Sequence, residues 1–336
     1  MNSAADSEKP NITQIRVLHD LKQNFELPPE QLESLKRLLT VEDQARADRF
    51  FSGFEVEDWF EAIYAVMPWI SLVHGLGQRQ VPLRSKQTYQ VPDFLALVES
   101  SDLKQLPLLV EVKRVNARTQ SLELRRNQTA NTRAYADALG IPLVYATHWD
   151  SMGVWTVNTL DSFVVKSSAF KISLEKAFEF DCGLIFGDKS YLITEPLRRV
   201  QIFSNEPFHA PACIHRDFGN LISDQITIRD FTHVLGRRDT LAADAMLDFA
   251  VTSTTQLQDR TTITSETRGA FCLKLSAWIT RYLSLCQIAP NESAANTAGH
   301  AICDLMSSLG IDSWFMYPWD RTPQLKSLDE RFLHPT

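Results

Sequence analysis

The 336 residues include 41 acidic and 34 basic side chains, a formal net charge of −7, with 44% hydrophobic and 22% charged residues. That balance argues against a chain that coats nucleic acid through bulk electrostatics, although an acidic total is compatible with a local basic groove. The composition is ordinary for a soluble globular protein, the length suggests two domains or one with sizeable additions, and nineteen Phe and seven Trp can fill a large core.

In chain order, residues 1–12 read as a polar, disordered leader without the apolar run of a signal peptide. A helical pattern runs from about Ile15 to Phe51 through Leu18, Leu21, Phe25, Leu32, Leu35, Leu38 and Leu39, divided at Pro28-Pro29. Ser52-Gly53 marks a break. An amphipathic stretch then carries Val56, Trp59, Phe60, Ile63, Tyr64 and Met67, and Pro68 ends it. Three strand-like segments follow, Trp69–His74, Thr88–Val98 and Leu106–Val115. After them come a helix over Ser121–Leu139 stopped by Gly140, and a buried strand at Ile141–Thr147. The order αβββαβ is a compact α/β unit. Trp155–Val165 and Leu184–Phe203 offer further strands, and from about Ile222 the pattern is mainly helical, with stretches near Ala242–Val251 and Arg268–Leu285. The expected division is a helical N-terminal extension over 1–51, an α/β domain over 52–205 with its core in 52–165, and a mainly helical C-terminal domain of unknown role over 206–336. No stretch approaches the roughly 20 apolar residues that span a bilayer, so a soluble, cytoplasmic chain is expected.

One constellation carries chemistry. Val91-Pro92-Asp93 is followed by Glu111-Val112-Lys113. On a strand, residues two apart share a face, so Glu111 and Lys113 point together while Val110 and Val112 point to the packed side. Charged groups on an otherwise apolar strand call for a partner or a metal. An antiparallel neighbour bearing Asp93 would place a second carboxylate beside Glu111, and such a pair suits a hard cation such as Mg²⁺.

The stretch VPDFLALVES…LPLLVEVKRV, set in its αβββαβ order, resembles the PD-(D/E)xK nuclease superfamily, which has the restriction-endonuclease-like fold. The resemblance covers about residues 52–165. It implies that Asp93 and Glu111 bind the metal, that Lys113 assists the attacking water, and that a glutamate on the preceding helix is a further, supporting metal ligand. Glu57 fits that glutamate, being followed by Phe60, Ile63 and Tyr64, with Glu61 as the fallback. Members near the Holliday-junction-resolvase and restriction branches carry Gln and Tyr on the next helix, where Gln128 and Tyr135 stand, at a wider spacing than usual. The implied activity is Mg²⁺-dependent hydrolysis of DNA phosphodiester bonds, with Mn²⁺ as a substitute. Restriction, antiphage defence or mobile-element processing is the implied setting.

Local charge agrees with a phosphodiester substrate. Between Lys104 and Arg133, seven basic residues face only Glu111 and Glu123, and Arg114, Arg118, Arg125 and Arg126 are the expected backbone contacts. A solvated helix face is the plainer explanation of the same charges. A second reading keeps the fold as a catalytically inactive nucleic-acid-binding or scaffold subunit, and a third leaves Glu111 and Lys113 as a simple ion pair. The C-terminal domain is the place for a homodimer or partner-protein contact.

Other signals are discounted. His215-Arg216-Asp217-Phe218-Gly219 merges two kinase signatures that belong on separate loops. Cys182, Cys213, Cys272, Cys286 and Cys303 have no zinc spacing and read as buried thiols. Trp314–Trp319 reads as a C-terminal docking segment rather than a base-stacking surface.

Overall fold

The computed structural model describes residues 12–25, 28–77, 80–99, 105–193, 196–204, 214–215, 217–267 and 271–310. Residues 1–11 of the expected leader, Lys104, Cys213, Arg216 and the Trp314–Trp319 segment lie outside the described residues.

Three helices lead: α1 (Ile12–Phe25), α2 (Pro29–Lys36) and α3 (Val41–Tyr64). Proline opens α2, where its missing N–H would have no helical partner. Thr40 caps α3 by accepting from the Asp43 N–H. α3 runs unbroken through Ser52-Gly53, so the expected boundary at 51/52 falls inside a helix. A helical glycine costs only about 1 kcal/mol, and the apolar spacing continues across it. Ala47, Phe51 and Phe54 pack together with Ile15, Leu18 and Leu32 from the preceding helices. The N-terminal extension is thus continuous with the helix that carries Glu57.

Next come β1 (Ile70–Gly75), β2 (Phe94–Val98), β3 (Leu106–Val115), β4 (Ser121–Arg125), α4 (Arg126–Leu139), β5 (Leu143–Trp149) and β6 (Val154–Asn158). Five of these strands form the main sheet in the order β1-β2-β3-β5-β6. β3 and β5 are parallel, and the other neighbours are antiparallel. Phe60, Ile63 and Tyr64 of α3 pack with Phe94, Ala96, Leu108, Val110, Val112, Val144 and Ala146 from the sheet.

Two expectations here need correction. The strand expected from Thr88 begins only at Phe94, because Pro92 has no N–H to offer a ladder and Asp93 turns its side chain to the next strand. The helix expected from Ser121 begins at Arg126. Leu122 and Leu124 alternate with exposed Glu123 and Arg125, and this segment pairs antiparallel with β8 (Ala169–Ser173), which also pairs with the short β7 (Val164–Val165). Leu122, Leu124 and Ile172 then form a second small core with Tyr145, Trp149 and Phe163.

After α5 (Leu174–Glu179), the chain forms β9 (Ser190–Ile193), β10 (Leu197–Ser204), β11 (Ile214–His215), β12 (Gly219–Ile228) and β13 (Phe231–Val234). It continues through α6 (Arg237–Met246), β14 (Phe249–Gln256), β15 (Arg260–Thr267), β16 (Phe271–Lys274), α7 (Leu275–Cys286) and α8 (Glu292–Ser308). The third segment is therefore mixed rather than mainly helical. β10 to β15 build a six-stranded sheet, and β9 pairs with β16. β15 buries Thr261, Ile263, Ser265 and Thr267, so its alternation is carried mostly by polar residues and escapes a hydropathy reading. β10 bonds to both β12 and β15, so the expected division at 205/206 cuts through this sheet. α6, α7 and α8 contribute Met246, Trp278 and Ile302 to the same core that holds α3 and the main sheet.

Candidate active site

The β2–β3 pairing places the candidate residues. Phe94 faces Val110 in antiparallel register, which brings Asp93, one residue earlier, to the level of Glu111 and Val112. Asp93 Oδ2 accepts the Val112 N–H at 2.7 Å, fixing the carboxylate at the mouth of the strand pair. Alternation along β3 does the rest. Val110 and Val112 are buried in the main core, while Glu111 and Lys113 point into a cavity of about 570 Å³. The walls of that cavity also carry Glu57, Glu61 and Gln128. All six acid, lysine and glutamine candidates named from the sequence thus line one space.

Its electrostatics are strained. Lys113 Nζ donates to Glu111 Oε1 at 2.6 Å and to the Val112 carbonyl at 3.0 Å. The Glu111 side chain is only 4% exposed, and its other oxygen, Oε2, is buried with no hydrogen-bond partner among the described residues. Burial pushes the Asp93 carboxyl well above its ordinary range, and the charge of Glu111 pushes it further; Lys113 and the Val112 N–H pull the other way. Burial alone would lower Lys113, but Glu111 and Asp93 together outweigh it and hold the ammonium above its usual value. Glu57 is pushed up to about 7, first by burial and then by Asp58 and Glu111, against the pull of Arg16 and Lys113. Glu61 is raised as well, chiefly by burial.

Arg16 has no counterpart in the sequence reading. From α1 its Nη1 donates to Glu57 Oε2 at 3.0 Å, its Nη2 to Asp58 Oδ1 at 2.7 Å and its Nε to Asp20 Oδ1 at 2.9 Å. The guanidinium lies over the Phe54 ring, 4.9 Å from its centroid. Nothing in IRVLHDL signals a partner 41 residues away.

The basic residues are placed less favourably. Arg114, next to Lys113 on the strand, projects to the opposite side and bonds Asp150 (3.0 Å), Ser52 (3.0 Å) and Glu55 (3.3 Å). The alternation that aims Lys113 into the cavity turns Arg114 away, so Arg114 does not line it. Arg118, Arg125 and Arg126 are exposed, in the turn after β3 and at the start of α4, and none of them lines the cavity. Tyr135 is half-buried on α4 and does not line it either.

The donor chemistry fits a hard divalent cation at Asp93 and Glu111, because both are oxygen ligands, their charges oppose each other, and Glu111 Oε2 is buried without a proton donor. Among the described residues, no three His, Cys, Asp or Glu side chains form a metal-holding group. Glu57, expected as a third metal ligand, has its Oε2 engaged by Arg16.

No family model matches the chain, and no curated protein matches it in sequence. Among solved structures, it is similar to Hjc, a Holliday junction resolvase from Archaeoglobus fulgidus. The two are 16% identical, and the match covers 38% of this chain and 91% of that one with a TM-score of 0.26. A score that low carries no argument about fold or activity. Among the described residues, no helix is long and apolar enough to cross a membrane.

Proposed function

We propose that this chain is a Mg²⁺-dependent DNA endonuclease of the PD-(D/E)xK type. The observation that carries the reading is Glu111, a carboxylate buried on a core strand with one oxygen on Lys113 and the other without a partner, opposite Asp93. Burying an ion pair costs desolvation that the pairing does not always repay, the more so with one oxygen left without a partner, and a stability argument alone would favour an apolar residue at Glu111. Asp93 and Glu111 are the residues that would hold the cation. Bound there, it would supply Lewis-acid polarisation of a phosphate oxygen and a lowered pKa for water.

The chain's own groups divide the remaining work. Lys113 keeps its proton at neutral pH and therefore donates to a phosphate oxygen, where it offsets developing negative charge, rather than serving as a base. In the metal-free protein burial pushes the Glu57 carboxyl up to about 7, and the charge of a bound cation would bring it down again. Arg16 holds it in place. In this reading Glu57 supports the two acids that would hold the cation. Antiphage defence or restriction is the setting we propose for such an activity.

One observation favours the inactive-scaffold alternative: Lys113 and Arg16 already bind Glu111 and Glu57, as structural ion pairs would. Incubation of plasmid and oligonucleotide DNA with Mg²⁺, Mn²⁺ or EDTA separates the two. The nuclease reading expects cleavage with either cation and none in EDTA. DNA left intact under all three conditions supports the scaffold.

A further inference from the structure

The cavity holds more than the acids and the lysine. α1 and α3 contribute Val17, Phe50 and Phe54 to its wall, and Gln90 and Gln128 stand at the β1–β2 connection and on α4. We propose that this recess receives the base of an unpaired nucleotide in a DNA strand, with the single adjoining phosphate at Lys113. The proposal rests on the nuclease reading above and specifies its substrate.

Three observations carry it. First, the space of about 570 Å³ lies within the range of roughly 300–1,000 Å³ typical of pockets that enclose small molecules. It is a recess in which a base can be engulfed. An intact duplex keeps its bases stacked inside and offers phosphates outside, so it cannot fill such a space without extruding a nucleotide.

Second, the lining is unsuited to holding a polyanion by charge. Glu57, Glu61, Asp93 and Glu111 face only two cations among the described lining residues, Arg16 and Lys113, and each cation is already paired with a carboxylate. Duplex binding draws on many phosphate contacts, whereas single strands draw on stacking against aromatic rings. Phe50 is half-buried and Val17 is 52% exposed, which leaves apolar surface facing the space.

Third, half-buried Gln90 and exposed Gln128 bring side-chain amides to the lining of the recess. Each offers both a donor and an acceptor, as a base edge requires.

The test uses the full-length protein with Ca²⁺ in place of Mg²⁺ and oligonucleotides of one sequence carrying a single 2-aminopurine. The oligonucleotides are presented as a single strand, within a bubble, and in a fully paired duplex. The expected result is fluorescence quenching and tighter binding for the first two. Phe50→Ala should weaken that binding by about fivefold or more, with Phe50→Tyr restoring it, and Gln90→Ala should weaken it independently while the thermal melt stays unchanged. Equal binding of paired and unpaired forms, with Phe50→Ala and Gln90→Ala both neutral, overturns the proposal. Preferential binding of unpaired strands without cleavage under Mg²⁺ supports the recess as a base pocket and overturns the nuclease reading instead.

Discussion

Glu57→Gln should make the metal-free protein more stable, and chiefly at neutral to alkaline pH. The Glu57 carboxyl moves from 4.5 in the unfolded chain to about 7 in the fold, with burial as the leading cause. The folded state therefore binds the proton more tightly. Between pH 4.5 and about 7 it holds more protons than the unfolded chain, so stability falls as pH rises across that window. Below it both states are protonated and the cost vanishes. At about 1.4 kcal/mol per pH unit, the cost above pH 7 comes to roughly 3 kcal/mol. The side chain is 22% exposed, so most of that figure survives solvent screening. Glutamine imitates the protonated acid, so the variant should gain roughly 3 kcal/mol at pH 8 and less than about 1 kcal/mol at pH 5. Urea unfolding in EDTA at the two pH values, with wild type and variant side by side, measures the difference. A variant that is no more stable at pH 8, or equally more stable at both pH values, would refute the reasoning that Glu57 is held in an uncomfortable charged state.

Arg114→Ala should leave the salt dependence of DNA binding unchanged and cost at most about 1 kcal/mol, because its partners are Asp150 and Glu55 on the far side of the strand. Replacing Arg118, Arg125 and Arg126 together should reduce the log–log salt slope by about 0.9 for each duplex phosphate they neutralise; a slope unchanged from wild type would show that these exposed residues face away from the strand. Lys274→Met should destabilise the fold by about 3–5 kcal/mol. That ammonium is 5% exposed and bridges Asp181 (2.7 Å), Asp188 (2.9 Å) and the Trp155 carbonyl (3.1 Å), and a calorimetric melt near that of wild type would mean the bridge carries little.

What the sequence disclosed follows from how strongly each segment's pattern is tied to its burial. Leu106–Val115 is recovered residue for residue as β3, because its apolar run is broken only by Glu111, Lys113 and Arg114 near its end. Gly140 stops α4 as expected, adopting the left-handed conformation at its C-cap. β4 was hidden because SLELR fits a helical start as easily as a strand, and only its partner Ala169–Ser173 decides between them. β14 and β15 were hidden because threonine and serine occupy many of the positions where alternation would show. Within the site, Asp93, Glu111 and Lys113 could be placed by strand arithmetic. Arg16 could not, since its contact with Glu57 depends on how α1 docks against α3. The same alternation that aims Lys113 into the cavity turns Arg114 to the other side of the strand.

The central claim, that Asp93, Glu111 and Lys113 form one catalytic centre, is tested most directly by single-turnover cleavage of end-labelled DNA under Mg²⁺. Wild type is compared with Asp93→Ala, Glu111→Ala and Lys113→Ala, each checked for an unchanged circular dichroism spectrum. The account predicts that each folded variant loses cleavage entirely or nearly so. Three folded variants that cut at the wild-type rate would contradict it.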